Sequence, residues 1–94
     1  NILTTNIEIG NFNHINLSCT IGHDVQFHDY ITVYPGVNIS GNVIMNDCVE
    51  VGTGTKIIQG KKIVEETVIG AGSVVVKDIV ENGTYIGVPA KQMK

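Results

Sequence analysis

Apolar residues recur at every sixth position along most of this chain. Thirteen such positions follow one another without a break: Leu3, Ile9, Ile15, Ile21, Phe27, Val33, Ile39, Met45, Val51, Ile57, Ile63, Ile69 and Val75. With 43% hydrophobic residues, chance would give this run with a probability of about 10⁻⁵. A period of six fits neither an α-helix nor a simple alternating strand. It predicts a parallel β-helix, in which three short strands form an 18-residue coil and successive coils stack about 4.8 Å apart.

A second series of small or β-branched residues lies two positions before the first series. Since residues two apart share one face of a strand, we expect both series to point into the same narrow core. Glycine or asparagine often follows the first series, and because these residues tolerate positive φ we expect the sharp corners there. The second series is Ile7, Cys19, Val25, Ile31, Val37, Val43, Val49, Thr55, Thr67 and Ser73, and the expected corner residues are Gly10, Asn16, Gly22, Asn46, Gly52 and Gly70.

The repeat predicts how the chain is organised. The period fails at Glu81, and Pro89 disfavours a further regular strand. We therefore expect a β-helix of about four coils over residues 1–76 and a short C-terminal extension over residues 77–94. The first coil would leave an unpaired strand edge, which solenoids normally cover, so we also expect a further segment before Asn1. The period does not fix the handedness of the coil.

Composition narrows the classes of function. The net charge is −3, with six lysines and no arginine, which argues against nucleic-acid binding. A phosphorylated ligand would have to be bound by lysines and backbone N–H groups. We find neither a signal-peptide pattern nor an apolar run long enough to span a membrane. Cys19 and Cys48 belong to different positions of the repeat, so we expect two free thiols and a cytoplasmic protein.

Among the polar residues, His23 stands in the most distinctive setting. It follows Gly22 at an expected corner and directly precedes Asp24. A carboxylate beside an imidazole holds the ring in one tautomer and favours its use as a general base. His14 and His28 also lie outside the inward series, and for any one of the three a solvated surface position is the simpler alternative.

Several strings of the sequence resemble a known enzyme family. IGHDVQFHDYITVYPGVNISGNV, VGTG, IGAGSVVVKDI and ENGTYIGVPAK follow one another in the order found in hexapeptide-repeat acyltransferases. The chain is similar in particular to the group of sialic-acid O-acetyltransferases and UDP-amino-sugar N-acetyltransferases, and the resemblance covers essentially all of it. The resemblance implies a left-handed parallel β-helix, a homotrimer with active sites between subunits, and acetyl-CoA as the acetyl donor. Full-length members also carry an N-terminal domain that binds the nucleotide-sugar.

The resemblance also implies roles for individual residues. The catalytic base of the family falls on His23 and its acidic partner on Asp24. A second histidine, which contacts acetyl-CoA in some members, is replaced here by Thr32. Backbone groups beside the pantetheine arm fall on Gly41, Thr53 and Ala71, and the segment near the adenine runs from Gly87 through Pro89 to Lys91.

The implied reaction is direct acetyl transfer from acetyl-CoA to an amine or hydroxyl of a sugar or nucleotide-sugar, without a metal. The sequence leaves the acceptor and the choice between O- and N-transfer open. Some glycines fit either close approach of a ligand or a tight corner, and the sequence does not separate the two interpretations: Gly36, Gly41, Gly54, Gly70 and Gly72.

Two other functions compete with acetyl transfer. His23 and His28 have the spacing of two zinc ligands in carbonic anhydrases of the β-helix class, in which zinc needs three protein nitrogens. The third histidine would belong about two coils upstream of His23, before the start of this chain, and the string GVPAK resembles the acetyltransferases. The remaining alternative is a structural β-helix without catalytic activity.

Overall fold

The computed structural model describes residues 1–93, which form a solenoid of very short strands. This range contains fifteen strands and no helix. They are β1 (Ile2–Leu3), β2 (Glu8–Ile9), β3 (His14–Ile15), β4 (Thr20–Ile21), β5 (Gln26–Phe27), β6 (Thr32–Val33), β7 (Asn38–Ile39), β8 (Ile44–Met45), β9 (Glu50–Val51), β10 (Lys56–Ile57), β11 (Lys62–Ile63), β12 (Thr67–Ile69), β13 (Val74–Val75), β14 (Gly83–Ile86) and β15 (Lys91–Gln92).

The strands form three sheets that enclose a single core. Sheet A contains β1, β4, β7, β10 and β13, sheet B contains β2, β5, β8 and β11, and sheet C contains β3, β6, β9, β12, β14 and β15. Partners in neighbouring coils run parallel and are 18 residues apart, as Ile21 and Ile39 are. The coil is left-handed, and the predicted parallel β-helix is confirmed.

The core consists of the two inward series, as the sequence predicts. From Cys19 to Val75 the side chains of both series are buried, including the hydroxyls of Thr55, Thr67 and Ser73. In the first coil, by contrast, Leu3 is 45% exposed and Ile9 is 41% exposed. Within the described residues, these two side chains have a neighbouring coil on one side only.

The corners lie elsewhere than the sequence predicts. Positive φ angles occur three residues after each member of the first apolar series from Leu3 to Ile69, and not directly after it: Asn6, Phe12, Ser18, Asp24, Tyr30, Gly36, Asn42, Cys48, Gly54, Gly60, Glu66 and Gly72. Gly22 and Gly52 have another role. A Cβ atom on Gly22 would lie 2.6 Å from the backbone nitrogen of Gly41, and one on Gly52 equally close to that of Ala71. The stacking of coils therefore excludes a side chain at these two positions.

We name the corners by the sheets that they join. The AB corner, between sheets A and B, carries His23 and Asp24, and the BC corner carries Asp29 and Tyr30. The CA corner, between sheets C and A, consists of residues 17–18, 35–36, 53–54 and 71–72.

The solenoid has about five coils, where the sequence predicts about four. The additional coil consists of β13, a bridge from Ile79 to Ile63, and β14, whose Tyr85 pairs with Ile69. Both pairings span 16 residues instead of 18, because the corner after Val75 is two residues shorter. The inward position therefore falls on Ile79 and not on Glu81, which explains why the period fails there.

The last strands close this end of sheet C. β15 pairs antiparallel with β14, and the Tyr85 hydroxyl donates a hydrogen bond of 2.8 Å to the backbone oxygen of Glu81. Burial, and secondarily the nearby Glu81 carboxylate, raises the pKa of Tyr85 above its usual 10.0. Within residues 1–93 we find no helix of the length and apolar character needed to cross a membrane.

Candidate active site

His23 and Asp24 form a hydrogen-bonded pair at the AB corner. His23 Nδ1 lies 3.0 Å from Asp24 Oδ2, and the two side chains are 50% and 47% exposed. Since an ionised carboxylate only accepts hydrogen bonds, Nδ1 carries the hydrogen and donates it. In the neutral ring Nε2 then has a free lone pair that can accept a proton. This is the arrangement that a general base requires.

The backbone around this pair is held by both neighbouring coils. The Asp24 N–H donates to the Thr5 oxygen at 3.0 Å, and the Asn42 N–H donates to the His23 oxygen at 2.9 Å. Asp24 itself has a φ of 57°, a left-handed conformation that aspartate and asparagine adopt more readily than most residues. The corner thus fixes the direction in which both side chains leave the backbone.

Gly41 lies directly beneath the imidazole of His23. A Cβ atom on Gly41 would be 2.6 Å from Nε2 and 2.8 Å from Cε1, and the residue is buried. Within residues 1–93 the Gly41 N–H donates no hydrogen bond. A free backbone donor therefore lies beside the ring nitrogen that would take the proton.

At the BC corner, two of the N–H groups equivalent to that of Gly41 are bonded to carboxylates, whereas the equivalent N–H groups of His23, Thr53 and Ala71 have no partner within residues 1–93. There the Asn11 N–H donates to Asp29 Oδ1 at 2.7 Å, and the Asp29 N–H donates to Asp47 Oδ1 at 2.9 Å. These carboxylates occupy donors equivalent to that of Gly41. At the AB corner the corresponding residue one coil after Gly41 is Gln59, and its side chain accepts no hydrogen bond from the Gly41 N–H.

The residues expected to contact CoA form two groups on the surface. Gly41 lies with His23 at the AB corner, whereas Thr53 and Ala71 stack in successive coils at the CA corner. Gly87 is close to the second group, because its N–H donates to Ser73 Oγ at 3.1 Å and its oxygen accepts from the Val74 N–H. Sheet A separates the two groups within one chain.

The remaining expected contacts lie outside the AB corner. Thr32 points outward from sheet C, in register with His14 on one side and Glu50 on the other, so it does not meet His23. Lys91 begins β15 and is exposed, as is Pro89. The structure thus brings His23, Asp24 and Gly41 together, and leaves Thr32 on another face of the solenoid.

The structure distinguishes the five glycines for which the sequence allows either close approach of a ligand or a tight corner. Gly36, Gly54 and Gly72 have φ angles of 74°, 73° and 71° and occupy the CA corner. A Cβ atom on Gly70 would meet the side chain of Ile86 at 3.0 Å. Among the five, Gly41 combines burial with contact to a candidate catalytic side chain.

A cavity beside Asp24 was not found by sequence reasoning. It has a volume of about 490 Å³ and is lined by residues of the first two coils: Asn6, Ile7, Glu8, Asp24 and Gln26. The 18-residue stacking is the signal that points to it, because Asn6 precedes Asp24 by one coil and Glu8 is in register with Gln26.

The other polar residues show no comparable cluster. In the part of the chain that the structure describes, no three histidine, cysteine, aspartate or glutamate side chains converge as a metal site would require. Cys19 is buried and Cys48 exposed, and both are free, as the sequence predicts.

Comparisons with known proteins point to one family. The chain is 39% identical to the GDP-perosamine N-acetyltransferase of Escherichia coli O157:H7 over 70 residues, which are 74% of this chain and 31% of that protein. The solved structure of WeeI from Acinetobacter baumannii AYE superposes with a TM-score of 0.91 at 36% identity, covering 95% of this chain and 44% of that one. The chain belongs to the hexapeptide-repeat acyltransferases.

A third comparison is with a structure that was solved with the acetyl donor bound. The acetyltransferase domain of PglB from Neisseria gonorrhoeae, solved in complex with acetyl coenzyme A, matches with a TM-score of 0.83 at 26% identity over 97% of this chain and 47% of that one. No family model matches the chain. The chain spans about a third of the length of the curated relatives that it matches.

The relatives reported above include two named acetyltransferases, which argues against a carbonic anhydrase of the β-helix class. His23 is directed toward Asp24 and Gly41, and its Nδ1 is already occupied by the carboxylate.

Proposed function

We propose that the protein transfers the acetyl group of acetyl-CoA to the amine or hydroxyl of a sugar or nucleotide-sugar. The single observation that carries the proposal is the His23–Asp24 pair, whose free ring nitrogen lies over the buried backbone of Gly41. The similarity to a GDP-perosamine N-acetyltransferase supports an amino-sugar nucleotide as the acceptor.

The reaction is a direct transfer in one active site. His23 Nε2 takes the proton from the acceptor nitrogen or oxygen as that atom attacks the thioester carbonyl carbon. The new C–N or C–O bond forms, the C–S bond breaks, and the leaving thiolate of CoA receives the proton from His23. Asp24 keeps Nδ1 protonated and stabilises the imidazolium that forms in between.

The Gly41 N–H is suited to stabilise the oxyanion of this reaction. It is buried, and it has no partner within residues 1–93. A backbone donor directed at the developing oxyanion typically contributes a factor of about 10²–10³ in rate. The donor in this case is positioned before substrate arrives, so no reorganisation is needed.

The division of the CoA-contacting residues supports a site between two protomers. His23 and Gly41 lie at one corner, whereas Thr53, Ala71 and Gly87 lie at another, so one chain presents two different halves of a groove. In a cyclic homotrimer, the AB corner of one protomer would face another surface of its neighbour. We propose this homotrimer, with acetyl-CoA held in the groove by Thr32, Gly41, Thr53, Ala71, Gly87, Pro89 and Lys91.

The proposed compartment is the cytoplasm, in which the acetyl donor is available. The two free cysteines support it, because thiols stay reduced there. No metal takes part in the proposed reaction.

Acetyl transfer is tested by mixing the protein with acetyl-CoA and either GDP-perosamine or UDP-glucosamine. Loss of the thioester absorbance is a better readout than a thiol reagent, because the exposed Cys48 would react with the reagent. We expect turnover with at least one acceptor, and a fall in kcat of about 10²–10⁴-fold in His23→Ala.

The matched control is His28→Ala, which removes another exposed histidine of the same coil. It should retain the wild-type kcat and fold. Thioester loss that is equally fast in His23→Ala would remove the proposed base, and no acceptor-dependent loss in the wild type would remove the proposed function.

A further inference from the structure

The BC corner carries residue types that its backbone conformation disfavours. Each corner of the solenoid has one residue per coil at a positive φ, and at the AB and CA corners these residues are asparagine, aspartate, glycine or serine. At the BC corner they are Phe12, Tyr30, Cys48 and Glu66, with φ angles of 57° to 60°. Glycine and asparagine tolerate this conformation best, whereas a bulky side chain is strained in it. Formation of the corner therefore does not explain the choice of these four side chains.

Two of the four side chains form an aromatic stack on the surface. The rings of Phe12 and Tyr30 are parallel within 13° at a centroid distance of 5.2 Å, and the residues are 78% and 57% exposed. This distance is close to the spacing of the coils, so the second face of Tyr30 lies toward the coil of Cys48. The Cys48 side chain ends at Sγ and is too small to cover a phenol ring. The stack therefore has an opening above Cys48, which we call the Cys48 gap, and Glu66 follows one coil later.

The charges around the Cys48 gap are all negative. The four segments that join sheets B and C contain no lysine and four acidic residues: Asp29, Asp47, Glu65 and Glu66. Within residues 1–93 none of these carboxylates forms an ion pair. Asp29 and Asp47 each accept one backbone N–H through Oδ1, so their Oδ2 atoms are available to a further donor. A group that complements the gap is therefore flat and cationic.

We propose that the Cys48 gap binds an arginine side chain of a partner protein, with the guanidinium stacked on Tyr30 and its N–H groups donating to Asp47 and Glu66. A guanidinium is planar and weakly hydrated, so one face can lie on a ring while its edges donate to carboxylates. A lysine ammonium is a compact, strongly hydrated charge without such a face. Residues 1–94 contain no arginine, so they cannot supply this group themselves.

This interaction surface is separate from the proposed active site. Sheet B lies between the BC corner and the AB corner that carries His23. The groove proposed between protomers uses the AB and CA corners, which leaves the BC corner accessible to another protein. The inference goes beyond the proposed acetyl transfer and does not rest on it.

The first test uses the Cys48 thiol as a reporter of the gap. Cys19 is buried and Cys48 is exposed, so iodoacetamide should modify Cys48 selectively in the folded protein. We expect the peptide acetyl-Gly-Arg-Gly-amide to slow this modification in a saturable manner. The lysine peptide acetyl-Gly-Lys-Gly-amide has the same charge and should need an at least about fivefold higher concentration. Equal protection by the two peptides, or protection by neither, would overturn the proposal.

Substitutions around the gap separate stacking from charge. Tyr30→Ala should weaken binding of the arginine peptide about twofold to fivefold, and Glu66→Gln should weaken it and reduce its dependence on salt. Leu17→Ala and Glu8→Gln are the matched controls, because they remove an exposed apolar side chain at the CA corner and an exposed carboxylate on sheet B. Full affinity in Tyr30→Ala would overturn the stacked site.

Substitution of Cys48 tests the gap itself. Cys48→Phe adds a third ring to the stack, as Phe12 does one coil before Tyr30, and should abolish binding of the arginine peptide. Cys48→Asn keeps a small side chain at this positive φ and should retain binding. An NMR titration measures both through the upfield shift that ring stacking causes in the arginine Cδ protons. Wild-type affinity in Cys48→Phe would overturn the proposal.

The kinetic assay keeps this proposal distinct from the proposed function. Both Cys48 variants should retain the wild-type kcat for acetyl transfer, because Cys48 lies outside the AB corner. Peptide binding by a wild-type protein that transfers no acetyl group would support the arginine site and overturn the proposed function alone. Acetyl transfer without peptide binding would overturn the arginine site alone.

Discussion

The imidazole of His23 rests on a residue that has no side chain, and this contact decides where its reactive nitrogen lies. Gly41 does not have a positive φ, so its backbone would accept any residue. The constraint is purely the 2.6 Å between a Cβ atom and Nε2. We therefore propose that Gly41 positions the proposed base and also offers its N–H to the reaction.

Gly41→Ala should separate activity from stability. The added methyl group displaces the half-exposed ring of His23, a movement that costs little folding energy, so we expect kcat to fall at least about tenfold with little change in the thermal midpoint. Gly60→Ala is the control, for which we expect the opposite result of lower stability and unchanged activity. Gly60 has a φ of 78° and open space around its Cβ position, so the variant loses about 1 kcal/mol of stability and retains kcat. If Gly41→Ala were fully active, the proposed positioning role would be wrong.

Among the strands and corners, Ser73 connects the fifth coil to the rest of the solenoid. Its buried hydroxyl donates to the Gly70 oxygen at 2.7 Å and accepts from the Gly87 N–H at 3.1 Å. Gly87 in turn accepts from Val74, so this single side chain holds β13 and the segment after β14 together. The hydroxyl of this polar residue in the inward series thus has hydrogen-bond partners, and these bonds hold the fifth coil in place.

Ser73→Ala should lower the free energy of unfolding by about 1–3 kcal/mol, because the Gly87 N–H loses its acceptor, whereas the Gly70 oxygen keeps its hydrogen bond from the Thr55 hydroxyl. Thermal or urea unfolding measures the loss, and Ser40→Ala, at an exposed outward position, is the control that should be neutral. Equal midpoints for the two variants would contradict this account of the fifth coil.

At this scale the sequence predicts sheets better than corners. The inward series identifies the strands correctly because burial requires apolar side chains at fixed positions of each coil. Corners were misplaced because residues such as Phe12 and Tyr30 adopt left-handed conformations that their types disfavour. Their rings stack at a centroid distance of 5.2 Å, an interaction between coils that no local propensity reveals. The fifth coil was not predicted for a similar reason, because a corner shortened by two residues interrupts the six-residue period.

Across the whole molecule, charge is distributed along the solenoid axis. All six lysines lie at or after Lys56, and five of the nine acidic residues lie before it. The acidic coils include His23 and the cavity beside Asp24, and the later coils carry the cations. This polarity would complement the anionic acetyl-CoA of the proposed reaction, extended from His23 toward the C-terminal end.

Lys91→Gln should raise KM for acetyl-CoA about threefold to tenfold and reduce its dependence on salt, because the exposed lysine would contribute a screened interaction with phosphate. Steady-state kinetics at low and high ionic strength measure both effects. Lys62→Gln, on sheet B, is the matched control. Equal KM values for the two variants would place the CoA phosphates elsewhere.

The candidate site could be predicted only in part from the sequence. The adjacency of His23 and Asp24 is visible in the chain, and 18-residue stacking places Gly41 beside His23. The division of the residues proposed to contact CoA between two corners depends on how sheet A separates them, which a motif does not show. Thr32 illustrates the limit, because its position follows from the register of sheet C and not from a motif.

The stacking of coils also relates the number of residues to the distance along the solenoid axis. Every 18 residues advance the chain by about 4.8 Å and return it to the same face, so the number of coils after His23 sets how far the C-terminal tail lies from the base. Insertion of one whole coil would preserve every face and core contact, yet would lengthen this span by one step. An insertion of six residues would instead turn all later residues to the next face. A relative that accepts a donor of different length could therefore differ by a whole coil while its catalytic corner stays the same.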